Sequence, residues 1–365
     1  MAGDGVFDLA SLGWGPFFEA QRRGLNRDLV IARVAAEHRG RYQLWGERGE
    51  KLARRAGRLF YRASRTIWDP DARGTPAVGD WVAARWPQAE ASLAQVEHIF
   101  TRKTAFLRRA SGPMSKPQVV ASNIDTVFVV TGLDANYSVR RMERYLAQLA
   151  DAGSQGVLVL SKADLVVDAD GKAETLRAAS ITAPIHVVSV VDRRGLDALR
   201  GYTGEGETVA FVGSSGAGKS TLINALVGED VQKVGAVREG DDRGRHTTRH
   251  RQLVRFPGGG LLLDTPGMRE LQLWSSEAAI DEAFEDIAVL AVRCRFRDCK
   301  HEDDPGCAIC AAIADGSLAA DRFEHYQRLV GEQRAQHERA AEFARKRAKR
   351  AKVGARRRAT RHEKE

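Results

Sequence analysis

In this chain the segment Ser161-Lys162-Ala163-Asp164 comes before the octapeptide Gly213-Ser214-Ser215-Gly216-Ala217-Gly218-Lys219-Ser220, and that order limits the fold more than either motif alone. The octapeptide fits G-x-x-x-x-G-K-[ST], in which glycines let successive backbone N–H groups turn toward a β-phosphate and a helix N-terminus adds a favourable dipole. Its flanks agree. Thr208 to Val212 is a short apolar stretch, and Ser220-Thr221-Leu222-Ile223-Asn224-Ala225-Leu226 has helical periodicity, so the sequence reads strand, loop, helix. Lys219 is expected to reach the β- and γ-phosphates, the Ser220 hydroxyl to ligate Mg²⁺, and Thr221 to close the loop's contacts with the nucleotide.

Two further segments complete a nucleotide site. Leu261-Leu262-Leu263-Asp264-Thr265-Pro266-Gly267 is an apolar strand ending in D-x-x-G, which carries Asp264 to the Mg²⁺ side and offers the Gly267 N–H near the γ-phosphate. Ser161 to Asp164 follows the apolar run Gly156 to Leu160 and so sits at a strand end, where open α/β sheets bind ligands. Asp164 can accept two hydrogen bonds from guanine, a pattern adenine lacks, and the stem of Lys162 can cover the base. Ser161 stands where such a motif usually has Asn or Thr, so the contact of a longer amide is expected to be shorter or absent. Val187 to Val190 matches the next base-contacting loop only loosely. If all these segments serve one nucleotide, the domain is circularly permuted: its chemistry is kept and its chain ends are moved.

Between the phosphate loop and D-x-x-G lies Gly240-Asp241-Asp242-Arg243-Gly244-Arg245-His246-Thr247-Thr248-Arg249-His250, polar and glycine-containing, the composition of a switch loop ordered by γ-phosphate and Mg²⁺. Thr248 is the candidate second hydroxyl ligand of Mg²⁺. Met268 follows Gly267 and cannot orient water, which leaves His246 as the nearest side chain able to assist hydrolysis. The catalytic candidates are therefore His246, Thr248 and Lys219.

All four cysteines fall near the C-terminus, at Cys294, Cys299, Cys307 and Cys310, with His301 among them. The spacing C-x₄-C-x-H-x₅-C suits a closed tetrahedral Zn²⁺ site, and clustering of this kind favours metal over disulfides. Spacing alone leaves an all-cysteine set including Cys310 open. With these motifs in order, the chain resembles the ribosome small-subunit-dependent GTPase A family, the likeness resting on Ser161–Asp164, the phosphate loop, Gly244-Arg245-His246-Thr247-Thr248, Asp264–Gly267, Asn123-Ile124-Asp125 and the segment Asp134 to Arg144. The resemblance implies a multidomain protein: an N-terminal OB-type β-barrel, a central circularly permuted α/β P-loop GTPase and a C-terminal, mostly helical zinc-binding domain. It also selects Cys294, Cys299, His301 and Cys307 as ligands of one structural zinc per chain, implicates His246 in hydrolysis, and implies late maturation of the 30S subunit with GTP, GDP and rRNA as partners.

The net charge of +9 points to a polyanionic partner. It is concentrated in the barrel region, where Tyr42, Trp45, Tyr61, Arg54, Arg55 and Arg58 are a candidate RNA face or in part barrel core, and in the tail from Ala344, an arm for rRNA phosphates or a solubilising end. The expected division is an extension at 1–22, the barrel at 23–112, the GTPase domain at 113–277 with a linker at Pro113–Gln118, the zinc domain at 278–343 and a basic tail at 344–365. Met1 to Gly13 has neither the basic nor the apolar part of a secretory signal, and no run is long enough to span a bilayer, so a cytoplasmic monomer without membrane contact is expected. The alternatives are a nucleotide-regulated RNA-binding scaffold and a GTPase acting in translation itself.

Overall fold

A computed structural model describes residues 6–38, 40–57, 59, 75–89, 91–109, 117–134, 137–179, 181–214, 216–227, 251–264, 284–296, 298–302 and 304–331. The chain falls into two compact units, Met1–Arg109 with Pro117–Trp274, and Ala110–Lys116 with Ser275–Glu365.

In the first unit, helix α1 (Pro16–Arg22) precedes strands β1 (Leu29–His38), β2 (Arg41–Gly46), β3 (Gly49–Arg55), β4 (Trp81–Arg85) and β5 (Ala94–Ile99). They close in the order β1-β2-β3-β5-β4-β1, with β3 and β5 parallel and the other pairs antiparallel, which is the OB-type barrel. Alternate residues of each strand fill its core, among them Ala32, Val34, Leu44, Ala53, Val82, Ala84 and Val96. Tyr42 belongs to that core at 1% exposure, opposite Ala53, and burial followed by the nearby Glu37 pushes its phenol up to about 12. It is therefore removed from the expected RNA face. Trp45 is half-buried and stacked on Phe7 with ring centroids 5.3 Å apart, Arg55 donates to Thr75 Oγ1, Arg54 is exposed, and Arg58 and Tyr61 lie outside the described residues.

A hairpin of β6 (Ala105–Arg109) and β7 (Pro117–Ser122) follows, so Pro117 and Gln118 are strand and not linker. Among the described residues, the α-helices and strands that follow in this unit are β8 (Thr126–Gly132), α2 (Val139–Ala152), β9 (Gln155–Ser161), α3 (Ala169–Ala178), β10 (Ile185–Val187), α4 (Leu196–Arg200), β11 (Thr208–Val212), α5 (Lys219–Val227), β12 (Arg251–Arg255) and β13 (Leu261–Asp264). The sheet order is β10-β9-β8-β11-β13-β12, parallel except for β12. The parallel strands are near-continuous apolar runs because both faces are covered, as the full burial of β8 and β11 shows. Counted from β11 onward and then through β8, β9 and β10, the order becomes that of an unpermuted P-loop GTPase domain. The permutation joins α4 to β11 through the turn at Gly204 to Glu207.

Barrel and nucleotide sheet are one structure. The pairing of β1 with β2 shifts register between Val34 and Ala36, and beyond this irregularity Ala36 and Glu37 also pair with Gln252 and Arg251 of β12. Beneath this seam a polar network is buried. Asp80 takes a bidentate bond from Arg102 at 2.6 Å on both oxygens and further bonds from Ser122 Oγ and Ala77 N–H. Arg33, 1% exposed, donates to the carbonyls of Leu12, Gly79 and Asn123; burial lowers its pKa to about 10, against the opposing pull of Asp125 and Asp80. Asn123, with φ 53°, returns a bond to Gly79 O, and Asp125 accepts from the Thr208 N–H that opens β11. Leu9 and Leu12 of the N-terminal extension pack with Trp81 and Phe100 of the barrel and Leu261 of β13. Asp80→Ala, which leaves the Arg102 charge buried without its partner, is expected to cost about 3–5 kcal/mol of stability in urea unfolding. A loss below 1 kcal/mol would show that water replaces the carboxylate.

In the second unit α6 (Glu285–Val292), α7 (Ala308–Ala314) and the helical residues 320–331 bury Phe284, Ile287, Ile309, Leu318 and Phe323, with Arg322 held bidentately by Asp286. Among the described residues no helix is long and apolar enough to cross a membrane.

Candidate nucleotide site and metal cluster

The C-terminal ends of β9, β8, β11 and β13 lie along one edge of the sheet, and each delivers part of the site. The loop after β11 begins at Gly213, φ 140°, where a Cβ would meet Val130 O at 2.1 Å, so only glycine lets the chain leave β11 against β8. Gly216 and Gly218 also have positive φ, and Leu222 N–H bonds back to Gly218 O as α5 begins. Lys219 is 8% exposed, and its ammonium is anchored on the carbonyls of Gly213 and Ser214 inside the loop's own curve. Ala217 is buried, while Ser220 and Thr221 are exposed in the first turn of α5. Asp264 closes β13 on one side of this loop, paired in register with Gln252. Ser215, His246, Thr248, Gly267 and Met268 lie outside the described residues.

On the other side, across β8, β9 ends at Ser161. Its hydroxyl donates to Ala217 O at 2.6 Å, with Thr131 O 3.3 Å away, and so ties the base-side segment to the phosphate loop. For Ser161 the contact of a longer amide is expected to be shorter or absent; the serine makes this short contact of its own because β9 lies close to the phosphate loop. Lys162 adopts φ 59° and pairs with Asp134 at 2.6 Å, which fixes the direction of its stem. Asp164 accepts the Ser189 hydroxyl on Oδ1 at 2.8 Å, and Ser189, fully buried, in turn accepts Asp192 N–H. Ala163 N–H bonds Val188 O, so the loosely matching loop is the one that supports the acidic residue. One carboxylate oxygen is thus used to orient Asp164, and the other can meet a base edge.

Ser161→Ala removes a buried donor and strands the Ala217 carbonyl. It is expected to weaken guanine nucleotide binding by about 1–3 kcal/mol, measured by calorimetry. Unchanged affinity would mean that the phosphate loop holds its shape without the tie.

In the second unit Cys294, Cys299, His301 and Cys307 bring their ligand atoms within 4.8 Å of one another. Tetrahedral Zn²⁺ with Zn–S of about 2.3 Å and Zn–N of about 2.0–2.1 Å requires S···S near 3.8 Å and S···N near 3.6 Å. The observed separations are 3.9 Å for Cys294–Cys307, 3.6 Å for Cys294–His301 Nδ1 and 3.4 Å for His301 Nδ1–Cys307, so these three donors fit that ion, and Cys299 Sγ lies within 4.8 Å of each. Asp304 shapes the loop by accepting from the N–H groups of Lys300 and His301 and from Cys299 Sγ. Cys310 points its sulfur at His301 O and gives its N–H to Cys307 Sγ, the position of a supporting residue. Burial opposes ionisation of Cys307, yet its hydrogen bonds, led by the Cys310 N–H, bring it down to about 6, while burial pushes Cys299 up to about 12.

A family profile described as RsgA GTPase matches residues 99–274. "Small ribosomal subunit biogenesis GTPase RsgA" of Opitutus terrae is 45% identical over 334 residues, 89% of each chain. "Small ribosomal subunit biogenesis GTPase RsgA 2" of Vibrio parahaemolyticus is 42% identical, covering 89% of this chain and 86% of its own. Among solved structures, YjeQ from Thermotoga maritima superposes with a TM-score of 0.59 at 25% identity, over 84% of this chain and 98% of its own. YloQ, titled a circularly permuted GTPase, gives 0.58 at 23% identity over 86% and 98%, a likeness of fold.

Proposed function

The chain belongs to the RsgA GTPase family, and we propose that it hydrolyses GTP to GDP and phosphate as a maturation factor of the small (30S) ribosomal subunit. The observation that carries this reading is the permuted sheet edge, where Ser161 to Asp164, the phosphate loop and Asp264 converge although they are far apart in sequence. In this reading Asp164 reads guanine, Lys162 covers it, and Gly213 to Thr221 cradle the phosphates with Lys219 on the β/γ pair. Ser220 and Thr248 would hold Mg²⁺, with Asp264 on its side of the site, and the Gly267 N–H would serve the γ-phosphate. When bound, Mg²⁺ would supply neutralisation of the charge that develops on the phosphates.

Cys294, Cys299, His301 and Cys307 hold one structural zinc, a reading that the gathering of their ligand atoms within 4.8 Å supports. The division at 22, 112, 277 and 343, a monomeric state, a cytoplasmic location and the basic tail as an arm on rRNA belong to the same proposal. The charge of +9 and the relatives' role in small-subunit biogenesis support it.

Met268 cannot position water, so slow intrinsic turnover is expected, with the subunit ordering the loop that carries His246 and each tenfold gain equal to about 1.4 kcal/mol of barrier. Single-turnover hydrolysis with and without purified 30S subunits tests this. His246→Ala should keep GTP and subunit binding while losing most of the stimulated rate. Full stimulation of that variant would exclude His246. A parent rate unmoved by 30S, with subunit binding still dependent on nucleotide, would select the RNA-binding scaffold, and a response to mature, translating subunits alone would select a translation factor.

A further inference from the structure

The segment from Ser161 to Asp164 is held by a different neighbour at each of its polar side chains. Ser161 is tied to the phosphate loop and Asp164 to Ser189, whereas Lys162 is held by Asp134, on the loop that leaves β8. The Lys162 ammonium stands 2.6 Å from Asp134 Oδ2, with the two side chains 32% and 24% exposed, so the pair is partly withdrawn from water. On its way there the stem passes the phosphate loop: a Cβ built on Gly218 would meet Lys162 Cε at 4.0 Å.

The carboxylate is itself fixed in place. Leu133 N–H donates to Ser161 O, which keeps the loop after β8 alongside the end of β9, and Tyr137 N–H closes the turn on Asp134 O at 3.0 Å. Gly132, the register partner of Ser161, leaves the space that the acid occupies, since a Cβ there would stand 2.8 Å from Asp134 Oδ1. Gly132 and Asp134 therefore act together. A lysine stem is among the most rotamer-rich of side chains, and freezing it when a ligand arrives costs affinity, a cost that falls when a partner has already set its direction. An ammonium released from Asp134 would also be drawn toward the phosphates of a bound nucleotide and carry the stem with it.

We propose that Asp134 is a positioning residue of the guanine site: through Lys162 it keeps the apolar stem against the face of the base, and it thereby sets how long a guanine nucleotide stays bound. This rests on the reading of Ser161 to Asp164 as the base-binding segment. The stem meets the face of the ring and not its edge, so Asp134 supports guanine and hypoxanthine nucleotides equally, whereas Asp164 distinguishes them by the 2-amino group. The test follows binding and stopped-flow release of N-methylanthraniloyl GDP and IDP by the full chain. D134N keeps the shape of the side chain and removes its charge; it should speed GDP release about fivefold to tenfold, the cost of immobilising one long side chain on binding, with association changed by less than about twofold. G132A should do the same with Asp134 still present, because its methyl group displaces the carboxylate.

K162M keeps an unbranched apolar stem without the ammonium, and on that background neither D134N nor G132A should speed release by more than about 1.5-fold, since the partner through which they act is gone. E174Q, which removes an exposed carboxylate paired with Arg177 on α3, should leave release within about 1.5-fold of the parent. The ratio of GDP to IDP affinity should stay within about twofold of the parent in D134N and G132A. Equal effects of D134N in the parent and K162M backgrounds would place its action elsewhere and overturn the proposal, as would release at the parent rate in both D134N and G132A. Loss of GDP affinity with IDP affinity unmoved would assign Asp134 to the base edge and overturn it as well. A parent that binds no labelled GDP would refute the guanine reading and the proposal with it; a parent that binds GDP and releases it no faster after D134N refutes the proposal alone.

Discussion

Lys219→Ala is expected to lower single-turnover GTP hydrolysis by about 10² to 10³, the loss associated with removing one preorganised donor from a charged transition state. The Lys219 side chain is 8% exposed and already held by the carbonyls of Gly213 and Ser214, so its charge is positioned before any phosphate arrives and little reorganisation remains at the moment of reaction. Alanine is a good helix former at the start of α5, and the fold should persist. Lys219→Arg should not rescue activity, because a planar guanidinium cannot take the place of a compact ammonium within that curve. The checks are hydrolysis at saturating GTP, equilibrium GTP binding and a thermal melt. A variant that melts like the parent and turns over at the parent rate would remove Lys219 from the phosphates.

What the sequence made legible here is what depends on neighbours along the chain. Thr208 to Val212 and Leu261 to Asp264 are strands because apolar runs of that length can be buried on both faces, and the phosphate loop follows from glycine spacing. The order of motifs was enough to expect the permutation, which the sheet order bears out. The interactions that were not legible cross from one strand to another. Ser161 reaches Ala217 only because β9 and β11 flank β8 at the right depth, and no local pattern reports that distance.

Ser189 was hidden for a related reason: a buried hydroxyl supporting a carboxylate leaves no periodic mark. Tyr42 carries a polar atom, yet its alternation with Leu44 along β2 turns it inward. Arg33 was the least visible. A cation inside a run of apolar residues reads as an outward-facing strand position, whereas here three main-chain carbonyls from separate segments enclose it. Those carbonyls belong to the N-terminal extension, the turn before β4 and the hinge before β8, so the extension is part of the first unit's core.

Cys307→Ser is expected to release the metal and unfold residues 284–331 while leaving guanine nucleotide binding intact, because Ser161 to Asp164, the phosphate loop and Asp264 belong to the other unit. The apolar interior described for the second unit is small, and short domains of this kind depend on a metal or cross-link for independent stability. Structural zinc contributes apparent binding free energies of about 10–16 kcal/mol near pH 7, far beyond what such a core can replace. Cys307 matters most among the four because it also N-caps α7, accepting the Cys310 N–H, so its loss removes a ligand and a helix start together.

Elemental analysis should find about one zinc per parent chain and less than a tenth of that in Cys307→Ser, with susceptibility to proteolysis confined to the second unit. His301→Ala should lose metal as well. Cys310→Ala should retain it with lowered affinity, roughly the 10- to 100-fold cost of a missing supporting bond, because its sulfur donates to His301 O and lies outside the group of four ligand atoms. Full retention in His301→Ala together with loss in Cys310→Ala would instead select four cysteine ligands. It would also require the His301 loop, held with φ 61° by Asp304, to move aside.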